Sequence, residues 1–187
     1  MSRRCASPLI LLALLGSASC EPRAAKGSRG RSDAISSASS EMSGPSLFSS
    51  ETLTPALLAL GAKTEGKWLR LEIRAREIVL QAEDPRSRGA VVEYHYRDGT
   101  VSEPEQARLR GKGQLTDNLF DSSEVKLAAI PELTREAVRR IDAENGTVEL
   151  VLVRRDLPER DELRLRVYVS SPRQGGYLDA DRNGQPL

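Results

Sequence analysis

The apolar spacing of this 187-residue chain switches twice from a helical period to alternation, and that constrains its fold more than any other feature. Ile130, Leu133, Ala137, Val138 and Ile141 recur at three- and four-residue intervals, the mark of a helix with one buried face. Pro131 suits its first turn, and Asn145-Gly146 suits its end. An earlier helix is expected from Thr54 as N-cap and Pro55 at the first helical position. Leu57, Leu58 and Leu60 would form its buried face and Gly61 its stop. After each helix the period becomes two. Leu69, Leu71 and Ile73 alternate with Arg70, Glu72 and Arg74, and Leu163, Leu165, Val167 and Val169 alternate with Arg164, Arg166, Tyr168 and Ser170. Further strands are expected at 77–82, 90–97, 147–153 and 177–181.

The two halves also resemble each other. Ala82-Glu83-Asp84-Pro85-Arg86-Ser87-Arg88-Gly89 can be laid over Val169-Ser170-Ser171-Pro172-Arg173-Gln174-Gly175-Gly176. Arg97-Asp98-Gly99 can be laid over Arg182-Asn183-Gly184, and both read as type I′ hairpin turns. Helix, strand, strand, strand, turn therefore occurs twice, at about 52–103 and 128–187. The fold class expected is α+β, with two tandem units of a helix plus an antiparallel sheet.

The N-terminus has a different character. Arg3 and Arg4 precede the apolar run Leu9-Ile10-Leu11-Leu12-Ala13-Leu14-Leu15, and small residues lead from Gly16 to Cys20. This is the layout of a secretory signal, and the run is too short to span a bilayer. Residues 1–19 are expected to be the signal peptide. Cys20 resembles the lipidation cysteine of bacterial lipoproteins, although Ser17 stands where their motif usually has Leu. Residues 20–48 read as anchor cysteine and tether, rich in Ser, Gly, Ala and Pro without an apolar period. Such a coil would span roughly 30 Å root-mean-square. Residues 49–187 read as the folded domain.

Composition removes several function classes. The domain carries 22 Lys+Arg against 24 Asp+Glu, which is no footprint for nucleic acid. One His and two Cys cannot supply a Cys/His zinc site. Cleavage before Cys20 would leave no thiol in the folded part.

Tyr177-Leu178-Asp179-Ala180-Asp181-Arg182-Asn183-Gly184-Gln185-Pro186-Leu187 resembles the closing hairpin of PepSY-type domains: a strand, an Asp-Ala pair, a Gly turn and a short last strand. Ile130-Pro131-Glu132-Leu133-Thr134-Arg135-Glu136-Ala137 resembles the opening of the PepSY helix. The likeness covers mainly 128–187 and more weakly 52–103. It implies a helix on an antiparallel sheet, and two such units in tandem would resemble the β-lactamase-inhibitor proteins. It also implies an envelope-associated, non-catalytic protein that binds proteins or peptides. No functional residue is carried over from it.

The candidate sites are few. Asp179, Asp181 and Asn183 match the first half of a D-x-D-x-N-G calcium loop, but the twelfth-position Glu is missing and a hairpin turn accounts for the same letters. His95, between Tyr94 and Tyr96, has no evident nucleophile beside it and reads as a strand residue. Arginine-rich strands (Arg70, Arg74, Arg76; Arg154, Arg155; Arg164, Arg166) interleave with Glu72, Glu77, Glu149, Asp161 and Glu162, as cross-strand ion pairing would require. Partner-binding candidates are Tyr94, Tyr96, Arg164, Arg166 and Tyr168, because exposed aromatics and arginines favour interfaces; Trp68 and Tyr177 could join the aromatics in one platform, with core or sheet-edge packing as the structural reading of all five. The expectation is a cell-envelope lipoprotein of bacteria, facing the periplasm, held to the bilayer by lipid on Cys20. It would bind a protein or peptide partner through its sheet, with no cofactor, no nucleic acid and no catalysis. A structural or assembly role in the envelope is the alternative, and a small-ligand or calcium carrier is a lesser one.

Overall fold

The computed structural model describes residues 45–109, 113–157 and 161–187. The signal, Cys20 and the tether up to residue 44 lie outside them. The described residues belong to the compact unit Met42–Leu187.

The first element is α1 (Ser50–Lys63), which starts before the expected Thr54 and contains Pro55. Ser49 is extended and supplies the N-cap position. The Thr52 hydroxyl donates to the Ser46 carbonyl at 2.5 Å, closing the entry turn. At the other end the Thr64 hydroxyl donates to the Leu60 carbonyl at 2.8 Å, so the helix runs past Gly61. Leu47 and Phe48, read from sequence as tether, pack on the core, and the Leu47 N–H donates to the Ala75 carbonyl at 2.9 Å. The fold therefore begins before Ser49.

Three meander strands follow: β1 (Trp68–Ile73), β2 (Glu77–Glu83) and β3 (Val91–Arg97). Two short strands, β4 (Thr100–Val101) and β5 (Glu105–Gln106), both pair with β3. A connector holds α2 (Leu115–Asn118) and 3-10 turns at Ser122–Glu124 and Leu127–Ala129. Then come α3 (Ile130–Asp142), β6 (Thr147–Arg155), β7 (Leu163–Ser170) and β8 (Gly175–Asp181).

Among the described residues these strands form one antiparallel sheet in the order β4-β3-β2-β1-β6-β7-β8, with β5 also on β3. The coarse α+β class expected from sequence is what the molecule adopts. At the central seam Glu72 lies opposite Leu152, with Leu71 on Val153 and Ile73 on Val151. Each seam strand also carries a bulge, β1 between Trp68 and Arg70 and β6 between Val148 and Leu150. The β1 bulge takes Leu69 out of the expected alternation, leaving Trp68, Leu71 and Ile73 as the buried residues.

One face of the sheet carries the core. Leu53, Ala56 and Leu60 of α1 and Ile130, Leu133 and Ala137 of α3 pack with Leu71, Ile73, Leu80, Val151, Val153 and Leu165 in one cluster. Burying a large aliphatic side chain contributes about 1.5–3 kcal/mol. The connector adds Phe120, fully buried and edge-on to Trp68 at 6.4 Å. Reciprocal Trp68–Phe120 backbone hydrogen bonds of 2.8 Å fix that contact.

The turns depart from the sequence reading in two ways. The β2–β3 connection closes with Asp84 N–H on the Ala90 carbonyl, whereas β7–β8 closes with Ser171 N–H on the Gln174 carbonyl. The Pro85 loop is thus longer than the Pro172 loop, and the two do not superpose letter by letter. Asp98 and Gly99 both have positive φ, as a type I′ turn requires. After β8 only Gly184 does, at +80°, and its N–H donates to the Asp181 carbonyl. That is a type I turn followed by a left-handed glycine, which brings Pro186 back to bridge Ala180.

Candidate functional site

The sheet face away from α1 and α3 is the candidate interaction surface. Pairing register lays His95, Val79, Glu72, Leu152, Arg166 and Asp179 in one row across six strands of it. Alternation places charged side chains here because the opposite positions are taken by the core.

In the N-terminal half the charges close on one another. The His95 Nδ1 is 2.7 Å from Glu77 Oε1, and its Nε2 is 3.0 Å from Glu93 Oε1. Arg97 reaches the same Glu77 oxygen at 2.6 Å. Burial pushes the Glu77 carboxyl up, but hydrogen bonds from His95 and Arg97 outweigh it and hold the group below its ordinary value. Arg70 and Arg74 both pair with Glu72. Ser102 has its hydroxyl hydrogen-bonded to the His95 backbone N–H and the Glu103 carbonyl.

The C-terminal half carries aromatics as well. Arg166 grips Asp179 with two hydrogen bonds, Nε at 2.6 Å and Nη2 at 2.9 Å. Those bonds hold the guanidinium in its charged form more firmly than usual. The same guanidinium lies 4.3 Å from the centre of the Tyr177 ring. Tyr177 in turn packs against Tyr168 across the β7–β8 ladder, with ring centres 6.2 Å apart. Tyr177 is 57% exposed, one of few large apolar groups left open to solvent. Arg164, beside them, pairs with Asp156 at 3.0 Å and is mostly covered.

The sequence candidates divide between the two faces. Arg164, Arg166 and Tyr168 lie on the open face with Tyr177. Tyr94 is 5% exposed in the core, and Tyr96 packs against that core from the same side of β3. These two tyrosines are therefore not part of the surface that the three others build. Burial, with Asp84 adding to it, raises the Tyr94 phenol above its ordinary value.

The calcium-loop letters are spent on the hairpin. Asp179 serves Arg166 and Arg164. The Asp181 Oδ1 accepts the backbone N–H groups of Gln185 and Asn183, both at 2.8 Å. Those donors, the Gln185 N–H foremost, hold the Asp181 carboxyl below its ordinary value. Among the described residues no three His, Cys, Asp or Glu side chains converge as metal ligands, and no helix is long and apolar enough to cross a membrane. Sequence reasoning named Tyr168 and Tyr177 among the platform aromatics but did not pair Tyr177 with Arg166. The signal for it is the short Ser171–Gln174 turn, whose length sets Tyr168 opposite Tyr177. Compared with known proteins, the chain matches no family model, no curated protein and no solved structure.

Proposed function

We propose that this chain is a non-catalytic lipoprotein of the bacterial cell envelope that binds a protein or peptide partner through the open face of its sheet. Residues 1–19 direct export, Cys20 carries the lipid, and the tether holds the domain on the periplasmic side of the membrane. The observation that carries the binding role is the exposed Tyr177 ring, flanked by Tyr168 and stacked on Arg166. Tyrosine and arginine are the residue types that most often concentrate binding energy at interfaces. Their arrangement on rigid strands, braced by Asp179, lowers the ordering cost of binding.

The tandem PepSY-like architecture belongs to the same proposal. Its support lies in the strand registers. Glu72 and Leu152 face each other at the seam, and each bulge begins four residues before that pair, at Trp68 and at Val148. Both helices precede three meander strands. A doubled unit accounts for these coincidences together.

The test is a photo-crosslinking residue placed at Tyr177 in whole cells, with a control at Arg135 on the outer side of α3. Capture of one defined neighbour from position 177 alone is expected, and its loss on Arg166→Ala. Equal capture from both positions removes the sheet-face reading. Separately, Cys20→Ala is expected to release the protein from membranes, and unchanged membrane association refutes the anchor.

A further inference from the structure

The two edges of the sheet are finished differently. At the β3 edge the outward backbone groups are covered along the strand. β4 pairs with Tyr96 and Arg97, and β5 pairs with Val92 and Glu93. Between and beyond them the Ser102 N–H donates to the His95 carbonyl and the Ala107 N–H to the Val91 carbonyl, both at 2.8 Å. At the β8 edge the cover stops partway. The Asp181 N–H donates to the Gln185 carbonyl at 2.9 Å, and the Leu187 N–H donates to the Asp179 carbonyl at 3.0 Å. The same tail makes the Ala180–Pro186 bridge.

These bonds fix which β8 residues look outward. In an antiparallel ladder alternate residues bond to the same neighbour. The hairpin closes with the Ser171 N–H on the Gln174 carbonyl, so Gly176, Leu178 and Ala180 bond inward to β7. Gly175, Tyr177, Asp179 and Asp181 then turn their N–H and C=O groups to the outer edge. The tail covers the last two. Among the described residues no hydrogen bond reaches the outward groups of Gly175 and Tyr177, and both residues are exposed. The open stretch Gly175–Leu178 spans roughly 13 Å. It has no lysine, no proline and no bulge, the devices that keep edges from pairing.

A row of free backbone donors and acceptors is matched by another strand, and β8 matches itself. Under a two-fold axis, a register centred on Tyr177 sets Gly175 opposite Asp179 of the other copy, where Leu187 already stands. A register centred on Gly176 sets each Gly175 opposite the other copy's Tyr177. Both are outward residues, so each pair exchanges both of its hydrogen bonds. Past Gly175 the chain turns back to β7 through Ser171–Gln174 and stays clear of the other tail. The side chains agree with this register. An aromatic set opposite an edge glycine covers its bare backbone. Gly176, on the axis, carries no side chain where the two strands are closest. The two Tyr177 rings become diagonal neighbours on one continuous open face.

We infer that the chain forms a two-fold dimer with a second copy of itself, β8 against β8 in antiparallel register about Gly176. The contact is isologous and closes on itself. It does not rest on the binding role of the sheet face.

The test uses the full-length chain carrying Cys20→Ala, so that no acyl group drives association. Sedimentation equilibrium is expected to show a reversible monomer–dimer equilibrium. Tyr177→Ala removes the ring and keeps the outward N–H. Tyr177→Pro removes that N–H as well, on the side of the strand where no ladder bond is lost. Proline is expected to weaken the dimer by about tenfold or more beyond alanine, because the two-fold axis doubles each lost bond. A second reading is independent of proline. Opposed residues of a non-hydrogen-bonded pair have Cα atoms ~4.5 Å apart, within the ~4.4–6.8 Å span of a disulfide. Gly176→Cys is therefore expected to give a disulfide-linked dimer in oxidised whole cells, with Arg135→Cys as the control that does not. A protein that stays monomeric up to about 1 mM overturns the inference. So does a dimer that Tyr177→Pro leaves unchanged, or equal linkage through both cysteine variants. A monomer whose Gly176→Cys variant is linked in cells to a different protein overturns the second-copy assignment in favour of an extended segment of that protein.

Discussion

The N-terminal and C-terminal halves of the sheet bury similar aliphatic cores and differ in nearly everything around them. In the first half, β4 and β5 line the outer strand, Phe120 plugs the end near Trp68, and the open-face charges close on each other through His95 and Glu77. In the second half, Val148 stands at the bulge where the first half has Trp68, and the open face ends in Tyr168 and Tyr177. The helices differ in the same sense, α3 charged outward and α1 apolar outward. The two halves thus leave exposed apolar groups on opposite sides of the sheet, Leu58 on a helix and Tyr177 on a strand.

The plug is the strongest way to break this comparison. Phe120→Ala is expected to cost about 3–5 kcal/mol, because a fully buried aromatic leaves a cavity. Denaturant unfolding checks it, and a loss below about 1 kcal/mol would show that the first half stands without its plug. The two glycine turns come next. Gly99 has positive φ and open space around it, so Gly99→Val is expected to cost about 1–2 kcal/mol from backbone strain alone. At Gly184 the backbone has the same hand and an added Cβ would meet the Ala129 side chain. Gly184→Val is expected to cost about 1 kcal/mol more than Gly99→Val, since a steric conflict adds to the strain. Equal losses would mean that Ala129 yields freely.

The smallest effect concerns acid. The Asp181 carboxyl is held below its ordinary value near 3.8 in the folded state. A group depressed in this way contributes stability above its unfolded pKa, and that contribution is lost as pH falls through the folded value. The melting temperature is therefore expected to fall as pH drops below about 4, and Asp181→Asn is expected to flatten that slope. An unchanged slope in the variant would detach the turn from the acid response.

Legibility followed the strength of the period. The helix at 130–142 and the strands β6 to β8 were readable because polar and apolar positions separate cleanly there. The bounds of α1 were not, since leucines surround it and a hydroxyl at Thr52 closes the entry turn as well as the expected Thr54 would. Residues 104–129 carry no period, so Phe120 was invisible until its backbone met Trp68. Alternation correctly set Tyr94 and Tyr96 together and His95 apart. Parity cannot say which side is covered, because that depends on where the helices pack, and here they cover the tyrosines. The pairing of Arg70, Arg74, Arg164 and Arg166 with carboxylates was legible, although Arg76, Arg154 and Glu149 have no ion pair among the described residues; the stack on Tyr177 depended on a turn length that the matched Pro85 and Pro172 segments obscured.

The seam between β1 and β6 joins residues separated by roughly 80 positions in the chain, a closure that must be met in entropy before any of its ladder forms. Its partners on either side are short hairpins that need no such search. Closure entropy therefore weighs more on the meeting of Glu72 and Leu152 than on any hairpin beside it. Before that event each meander presents a bare inner edge, and two molecules at high concentration can complete each other's seam by exchanging halves.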